Sequence, residues 1–398
     1  MRTVGSAVGG THVTFTTREV FIVAVRAKEA DVIEAHSRAR GAAMAAAACL
    51  LLALPVHAQV TPAAGYTPPD DTPSIRVGAT IFADYTVQQQ PKVKDAAGED
   101  VTLYSFNLAR SYINITGNIS HLIAFRITPD ITRESGVGSS LNGSLTFRLK
   151  YAYAQFNLDD WMTKGSYARF GIQQTPWLDF AESIYRYRFQ GQIFAERDGF
   201  LSSSDVGASF HYSLPSNFGD IHTGIYNGES YTQPELNQEK GFMIRGTLRP
   251  LPMSSALRGL RITGFWDQDA YLKGEDRQRG IINATYEHQY VNASFEYLSA
   301  KDQRPPTFAT VDANGWSAWV TPRTTKGWEG LLRYDHLEPN THAPGTRKRS
   351  IAGIAYWFPH QGNVSTSLLL DFDYTDNDGF VPAVSKQQKV ALHMLLNF

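Results

Sequence analysis

The chain has one cysteine, Cys49, in 398 residues. That excludes an internal disulfide framework and any zinc site built from several thiolates. It has no run of the roughly 20 apolar residues a membrane-spanning helix needs, so a helical membrane protein is excluded. Neither sign of charge dominates: 37 Lys and Arg stand against 38 Asp and Glu, a formal net charge of −1. The basic excess of a nucleic-acid binder is missing, and nucleic acid is not an expected partner. Charged residues are scarce at 19%, against about a quarter in a typical soluble domain. Aromatics are plentiful at 12%. A membrane β-barrel survives all of these absences, because each strand needs only about 10 residues of alternating character.

The longest apolar run is Ala42–Leu54, preceded by Arg38 and Arg40 and followed by Pro55-Val56-His57-Ala58 ahead of Gln59. A basic stretch, a short apolar core and a V-x-A end make a secretory signal cleaved after Ala58. Cys49 lies inside the apolar run rather than at its end, which argues against a lipoprotein. Residues 1–37 fit no such signal and point to a translation start downstream of Met1. The expected organisation is a leader and signal peptide over 1–58, a flexible periplasmic lead-in over 59–74, and one barrel over 75–398.

From Ile75 onward, alternating segments are separated by Gly, Pro, Asn and Asp clusters. Sixteen strands are expected, starting near Ile75, Val101, His121, Ser144, Ser166, Asp205, Gly219 and Lys240. The other eight start near Leu260, Gln278, Tyr290, Asn314, Gly327, Lys348, Val364 and Gln387. Odd connections read as long (Val87–Asp100, Thr175–Ser204, Gly228–Glu239) and even ones as short (Ile119-Ser120, Pro359–Asn363). Long extracellular loops and short periplasmic turns belong to outer-membrane barrels. Side chains alternate accordingly. Val390, Leu392, Met394, Leu396 and Phe398 oppose Lys389, His393 and Asn397. Phe242, Ile244 and Leu248 oppose Arg245 and Arg249. Leu145, Phe147, Leu149, Tyr151 and Tyr153 oppose Arg148 and Lys150. Leu368, Leu370, Phe372 and Tyr374 oppose Asp371 and Asp373. The expected class is all-β, a transmembrane antiparallel β-barrel of about 16 strands, with one face toward lipid and one toward a wet lumen. Tyr85, Tyr153, Trp266, Tyr297, Trp316, Trp328 and Trp357 are expected in interfacial girdles. Phe398, closing an apolar strand, resembles the terminal signal read by the outer-membrane barrel assembly machinery.

At Arg169-Phe170-Gly171-Ile172-Gln173-Gln174-Thr175-Pro176-Trp177 the chain resembles the phosphate-selective porin O and P family. Tyr151-Ala152-Tyr153, Arg197-Asp198-Gly199, Tyr226-Asn227-Gly228 and the Arg245…Arg249-Pro250 strand end add to the likeness. Trp177-Leu178-Asp179 departs from the Phe-Gly usual there. The resemblance implies a sixteen-stranded homotrimeric porin of the bacterial outer membrane, with a third extracellular loop folded inward.

A channel of this width takes its selectivity from what lines its constriction. The 175–204 connection offers Tyr185, Arg186, Tyr187, Arg188 and Arg197 as constriction residues. The alternative is that these charges pair with Glu182, Glu196 or Asp198 and merely pin the loop. Expected pore-lining cations are Arg126, Arg148, Lys150, Arg169, Arg245, Arg261 and Arg333. Expected inward acids are Glu287, Glu296, Glu329, Asp335, Asp371 and Asp373. Basic residues dominate strands three to nine and acidic ones ten to fifteen, a transverse field expected to favour small anions moderately, phosphate among them. No His-Glu-x-x-His, Gly-x-Ser-x-Gly or phosphate-cradling loop occurs, so neither enzymatic chemistry nor a cofactor is expected. A sugar- or nucleotide-selective porin is the near alternative. A secreted soluble all-β binding module is the distant one, and it would lack heat-modifiable migration.

Overall fold

The computed structural model describes residues 71–134, 138–235, 237–360 and 364–398. The leader, its cleavage site and nearly all of the lead-in lie outside the described residues. The first eight strands are β1 (Ser74–Lys94), β2 (Asp100–Asn118), β3 (Ile123–Arg133), β4 (Leu145–Asn157), β5 (Tyr167–Gln174), β6 (Ser204–Ser213), β7 (Gly219–Tyr226) and β8 (Gly241–Leu248). The second eight are β9 (Leu260–Ala270), β10 (Asp276–His288), β11 (Val291–Gln303), β12 (Thr310–Pro322), β13 (Trp328–Glu338), β14 (Thr346–Trp357), β15 (Ser365–Asp378) and β16 (Gln387–Asn397). Each pairs with its sequence neighbour, and β1 pairs antiparallel with β16 to close the barrel. Closure leaves no unpaired edge, which is what a sheet needs to sit in hydrocarbon. Strand starts fall close to those expected from alternation; the widest departure is β12, which begins at Thr310 rather than near Asn314.

Side chains are distributed inside out relative to a soluble protein. On β8, Phe242, Ile244 and Leu248 are exposed while Met243, Arg245 and Thr247 are buried. On β15, Leu368, Leu370 and Phe372 point out, and Asp371 and Asp373 point in. An apolar belt therefore coats the outside, and the polar groups face the interior. Ile282, midway along β10, is 67% exposed in this belt. Ile282→Arg is expected to cost about 2–4 kcal/mol of folding stability in a bilayer. Urea titration of folding into lipid vesicles measures it, and a variant as stable as the parent contradicts a lipid-facing β10.

Three sequence expectations need correction. The expected 87–100 loop is mostly strand, because β1 runs on to Lys94 and leaves only 95–99 as a turn. The contrast between long and short connections is also softer than expected: 249–259 is longer than 271–275 on the opposite rim. Finally, β4 changes parity midway. The β3–β4 register shifts between Thr128 and Pro129. Pro129 has no N–H for the ladder, and a bulge there re-aims the following side chains. Tyr151 and Tyr153 consequently join Arg148 and Lys150 on the inside. Tyr153 thus leaves the expected girdle, as does Trp357, which is buried against the interior ring of Tyr187. Trp266, Tyr297 and Trp328 remain exposed on the outer surface.

At the rim that carries the β2–β3 and β4–β5 turns, His121 bridges two carboxylates. Its Nδ1 lies 2.5 Å from Asp71 Oδ1 and its Nε2 lies 3.1 Å from Asp160 Oδ2. Donating at both nitrogens requires the imidazolium. The Asp71 hydrogen bond, then the Asp160 one, raises the His121 pKa from its ordinary 6.5, and the His121 bond lowers that of Asp71. The signs define a window. The clamp persists at pH 6.5 and is lost as pH rises through the raised histidine value. On the acid side it is lost only as pH falls through the lowered Asp71 value. Amide exchange around Asp71 should therefore quicken above the ordinary histidine range. His121→Gln should exchange fast at every pH, and identical profiles for the two proteins would refute the clamp.

Candidate functional site

The 175–203 connection enters from the opposite, upper rim and folds inside the barrel. Its first helix, α1 (Pro176–Ile184), starts with proline at a position whose N–H has no helical partner. Trp177, Leu178, Phe180 and Ile184 are all buried. A short second helix, α2 (Phe194–Arg197), follows. The Thr175 hydroxyl donates to Ser202 O (2.8 Å) and ties the two ends of the loop together.

The loop is fastened around much of the wall. Arg245 Nε on β8 donates to Pro176 O (3.0 Å), and Arg279 Nε on β10 to Phe200 O (3.0 Å). Asn292 Nδ2 on β11 donates to Ile184 O (2.9 Å), and Arg333 Nη1 on β13 to Gln192 O (3.1 Å). From the loop, Tyr187 Oη donates to Glu329 Oε2 (2.9 Å) and Gln190 Nε2 to Asp371 Oδ2 (2.9 Å). Gly315 on β12 must lack a side chain, because a Cβ there would sit 2.6 Å from the Phe194 ring. Buried backbone carbonyls without water need donors. Here the wall arginines supply them.

These contacts redistribute the expected site residues. Tyr185 and Tyr187 are buried, packed on Trp319 and Trp357. Arg186 pairs with Glu329 (2.9 Å) and lies 3.8 Å above the Trp357 ring. Arg188 pairs with Glu182 (2.7 Å) and Glu196 (2.9 Å) within the loop itself. Arg197 pairs with Asp335 on the wall (2.9 Å), and Asp198 takes Arg347 (2.6 Å). Of the cations expected to line the pore, five are buried: Lys150, described below, and four that are tied into the wall. Arg169 sits between the Tyr153 and Tyr167 rings and donates to Gln155 Oε1 (2.9 Å). Arg245 pairs with Asp220, Arg261 with Glu287 (2.5 Å) and Arg333 with Asp335 (2.8 Å). They hold the wall and loop together rather than meeting solute.

The clean division into basic and acidic halves is corrected as well. Arg277, Arg279, Arg347 and Arg349 lie on the supposedly acidic strands, and Asp130, Asp220, Asp267 and Asp269 on the basic ones. Alternating residues fix which charges point inward, but not which of them the loop covers.

A basic wall on β2–β4 remains beside the loop. Arg148 and Arg110 stand nearest the upper rim, Lys150 below them, and Arg126 lower still, opposite Tyr153. Arg110 and Arg148 are 22% and 31% exposed and share one carboxylate, Asp130. Lys150 is only 3% exposed and lies 3.3 Å from Tyr112 Oη. Arg126 is half-buried, stacked 4.3 Å over Tyr151, and donates to Asn114 Oδ1 and Thr128 Oγ1 (both 3.0 Å). Among the described residues neither Arg126 nor Lys150 forms an ion pair with a carboxylate. Glu182 of the loop faces Lys150 and Arg126 closely enough to feel both charges. Sequence reasoning missed Arg110, Asp130 and Tyr231, whose ring lies 4.9 Å from Arg148. Asp130 was detectable as a lone acid after Pro129 in a basic strand; Arg110 and Tyr231 carried no signal.

No family model and no curated protein matches this chain. Solved structures do. An anion-selective porin from Comamonas acidovorans aligns with TM-score 0.56 at 12% identity, over 82% of this chain and 100% of that one. The outer membrane channel DcaP of Acinetobacter baumannii aligns with TM-score 0.53 at 11% identity, over 84% and 100%. OmpT, an outer membrane protein of Vibrio cholerae, in its trimer form, aligns with TM-score 0.54 at 12% identity, over 82% and 100%. The fold is that of an outer-membrane β-barrel. With its apolar outer belt, it places the chain in the bacterial outer membrane.

The expected exclusion of enzymatic chemistry is corrected at this point. The OmpT likeness shows a shared barrel, and a barrel fold by itself excludes no activity. The wall does bring a serine, a histidine and a carboxylate near one another, with the serine hydroxyl donating to Gln173 rather than to the histidine. Ser209 Oγ lies 3.2 Å from His222 Nε2, and His222 Nδ1 lies 3.8 Å from Asp179 Oδ2. Ser209 and His222 are buried in the wall, and the Ser209 hydroxyl donates to Gln173 Oε1 (2.5 Å).

Proposed function

We propose that this protein is a porin that passes small hydrophilic solutes by diffusion, with a moderate preference for anions, phosphate among them. The carrying observation is the charge count beside the loop: Arg110, Arg126, Arg148 and Lys150 stand against Asp130 on the wall and Glu182 of the loop, which Arg188 also holds. Unneutralised charge in a narrow, low-dielectric passage concentrates counter-ions. The upper rim is then the extracellular one. The resemblance to the phosphate-selective porin O and P family supports this reading, as do the neighbours named as an anion-selective porin and an outer membrane channel. The trimer form of OmpT supports a homotrimer. In the same reading, residues 1–58 are removed at export, 59–74 lie in the periplasm, and the strand ending at Phe398 engages the assembly machinery.

Purified protein in planar bilayers tests this. Discrete channels with reversal potentials toward anion permeation are expected, together with heat-modifiable migration in detergent gels. Cation-biased reversal potentials would remove the anion preference. The absence of channels from heat-modifiable protein would remove the porin reading.

A further inference from the structure

Resting on that reading, we propose that Asp130 is a positioning residue that builds an outer binding subsite for small oxyanions from Arg110 and Arg148. Asp130 is an acid in a basic wall, and its charge alone opposes anion entry. Its geometry argues the reverse. The side chain is 0% exposed, and one oxygen, Oδ2, accepts from Arg110 Nη1 (2.8 Å) and from Arg148 Nε (2.9 Å). Arg148 Nη2 also lies 2.9 Å from that oxygen. Two guanidiniums are thus drawn to a single point, and the cluster keeps one net positive charge. Asp130 leaves Nε and Nη2 of Arg110 and Nη1 of Arg148 unoccupied, and each side chain is partly exposed to the interior.

An arginine on a wet wall is a long, mobile side chain, and ordering it costs entropy whenever a ligand binds. Anchoring two arginines on a buried carboxylate removes that cost beforehand. Tyr231 adds a second constraint. Its ring lies 4.9 Å from the Arg148 guanidinium, and its own backbone N–H donates to Ser204 O (3.2 Å), which holds Tyr231 over the site. Planar guanidiniums suit ligands that present paired oxygens, which a carboxylate or a phosphate does and chloride does not. The subsite should hold such oxyanions at the upper rim, one level above Lys150.

The test separates position from field. In symmetric potassium chloride, acetate or inorganic phosphate is added, and the concentration that half-blocks chloride current is measured. For Asp130→Asn, a purely field-based role predicts tighter block, because a negative charge has been removed. The positioning role predicts block weakened roughly tenfold, the loss of one well-placed charged hydrogen bond. Meanwhile anion-over-cation permeability stays level or rises. Asp130→Glu should recover part of the block, and Arg110→Gln should weaken it as Asp130→Asn does. Should Asp130→Asn fail to fold, Arg110→Gln and Tyr231→Leu carry the test, both with weakened block expected. Tighter or unchanged block in these variants overturns the subsite and leaves the porin reading standing. Absence of channels in the parent protein overturns both.

Discussion

Replacing residues 177–201 with a short turn is expected to raise single-channel conductance severalfold while leaving a folded barrel. Removing a comparable block of buried aromatics would unfold a soluble domain, since the loop supplies Trp177, Phe180, Tyr185, Tyr187, Phe189 and Phe194 to the interior cluster. This barrel differs because its strand ladder closes without the loop. The wall groups that lose partners, including Arg279, Arg333, Asn292 and Glu329, face a lumen that water refills. An orphaned polar group costs about 1–3 kcal/mol only while it remains buried. Thermal stability should fall through the newly wetted rings of Phe265 and Trp357, which now pack on Trp177 and Tyr187. Heat-modifiable migration should persist. Unchanged conductance would show that the loop does not set the constriction.

Reversing two charges on the basic wall, Arg126→Glu with Arg148→Glu, is expected to turn anion preference into cation preference. The two sites lie on either side of Lys150 along the β3–β4 pair. A unit charge about 6 Å away contributes roughly 0.7–3 kcal/mol at effective dielectric constants of about 80 to 20. Each reversal changes the charge by two units, roughly 1.4–6 kcal/mol for a given ion, and so its permeability by about tenfold or more, less at high salt. The control is Arg245→Gln together with Arg261→Gln. These cations are buried against Asp220 and Glu287, so removing them should lower stability and move selectivity little. Reversal potentials in a salt gradient read both experiments. Equal effects from the two pairs would mean that the wall does not divide into covered and open cations.

Much of the architecture was legible in the linear pattern. Period-two alternation from Ile75 to Phe398 specified sixteen strands and which face of most of them meets lipid. Where alternation misled, the cause was local, as at Pro129, whose missing N–H shifts the register and turns Tyr151 and Tyr153 inward. The length and charge of the 175–204 connection marked it as the segment most able to fill the barrel.

The identity of the residues that meet solute was not legible in that way. Arg126 and Arg245 read alike in sequence, as inward cations on alternating strands. One faces the passage, and the other is buried beneath α1 against Pro176 and Asp220. Arg188 and Arg197 both read in sequence as cations of the same loop, yet one pairs within the loop and the other with the wall. Alternation depends only on nearest neighbours along the chain, so the sequence by itself determined the barrel, its lipid coat and its inward polarity. Which charges neutralise one another depends on where an inward loop crosses a closed sheet and meets strands more than a hundred residues away. Only the tertiary structure decided that, and with it which basic residues the loop leaves beside the passage.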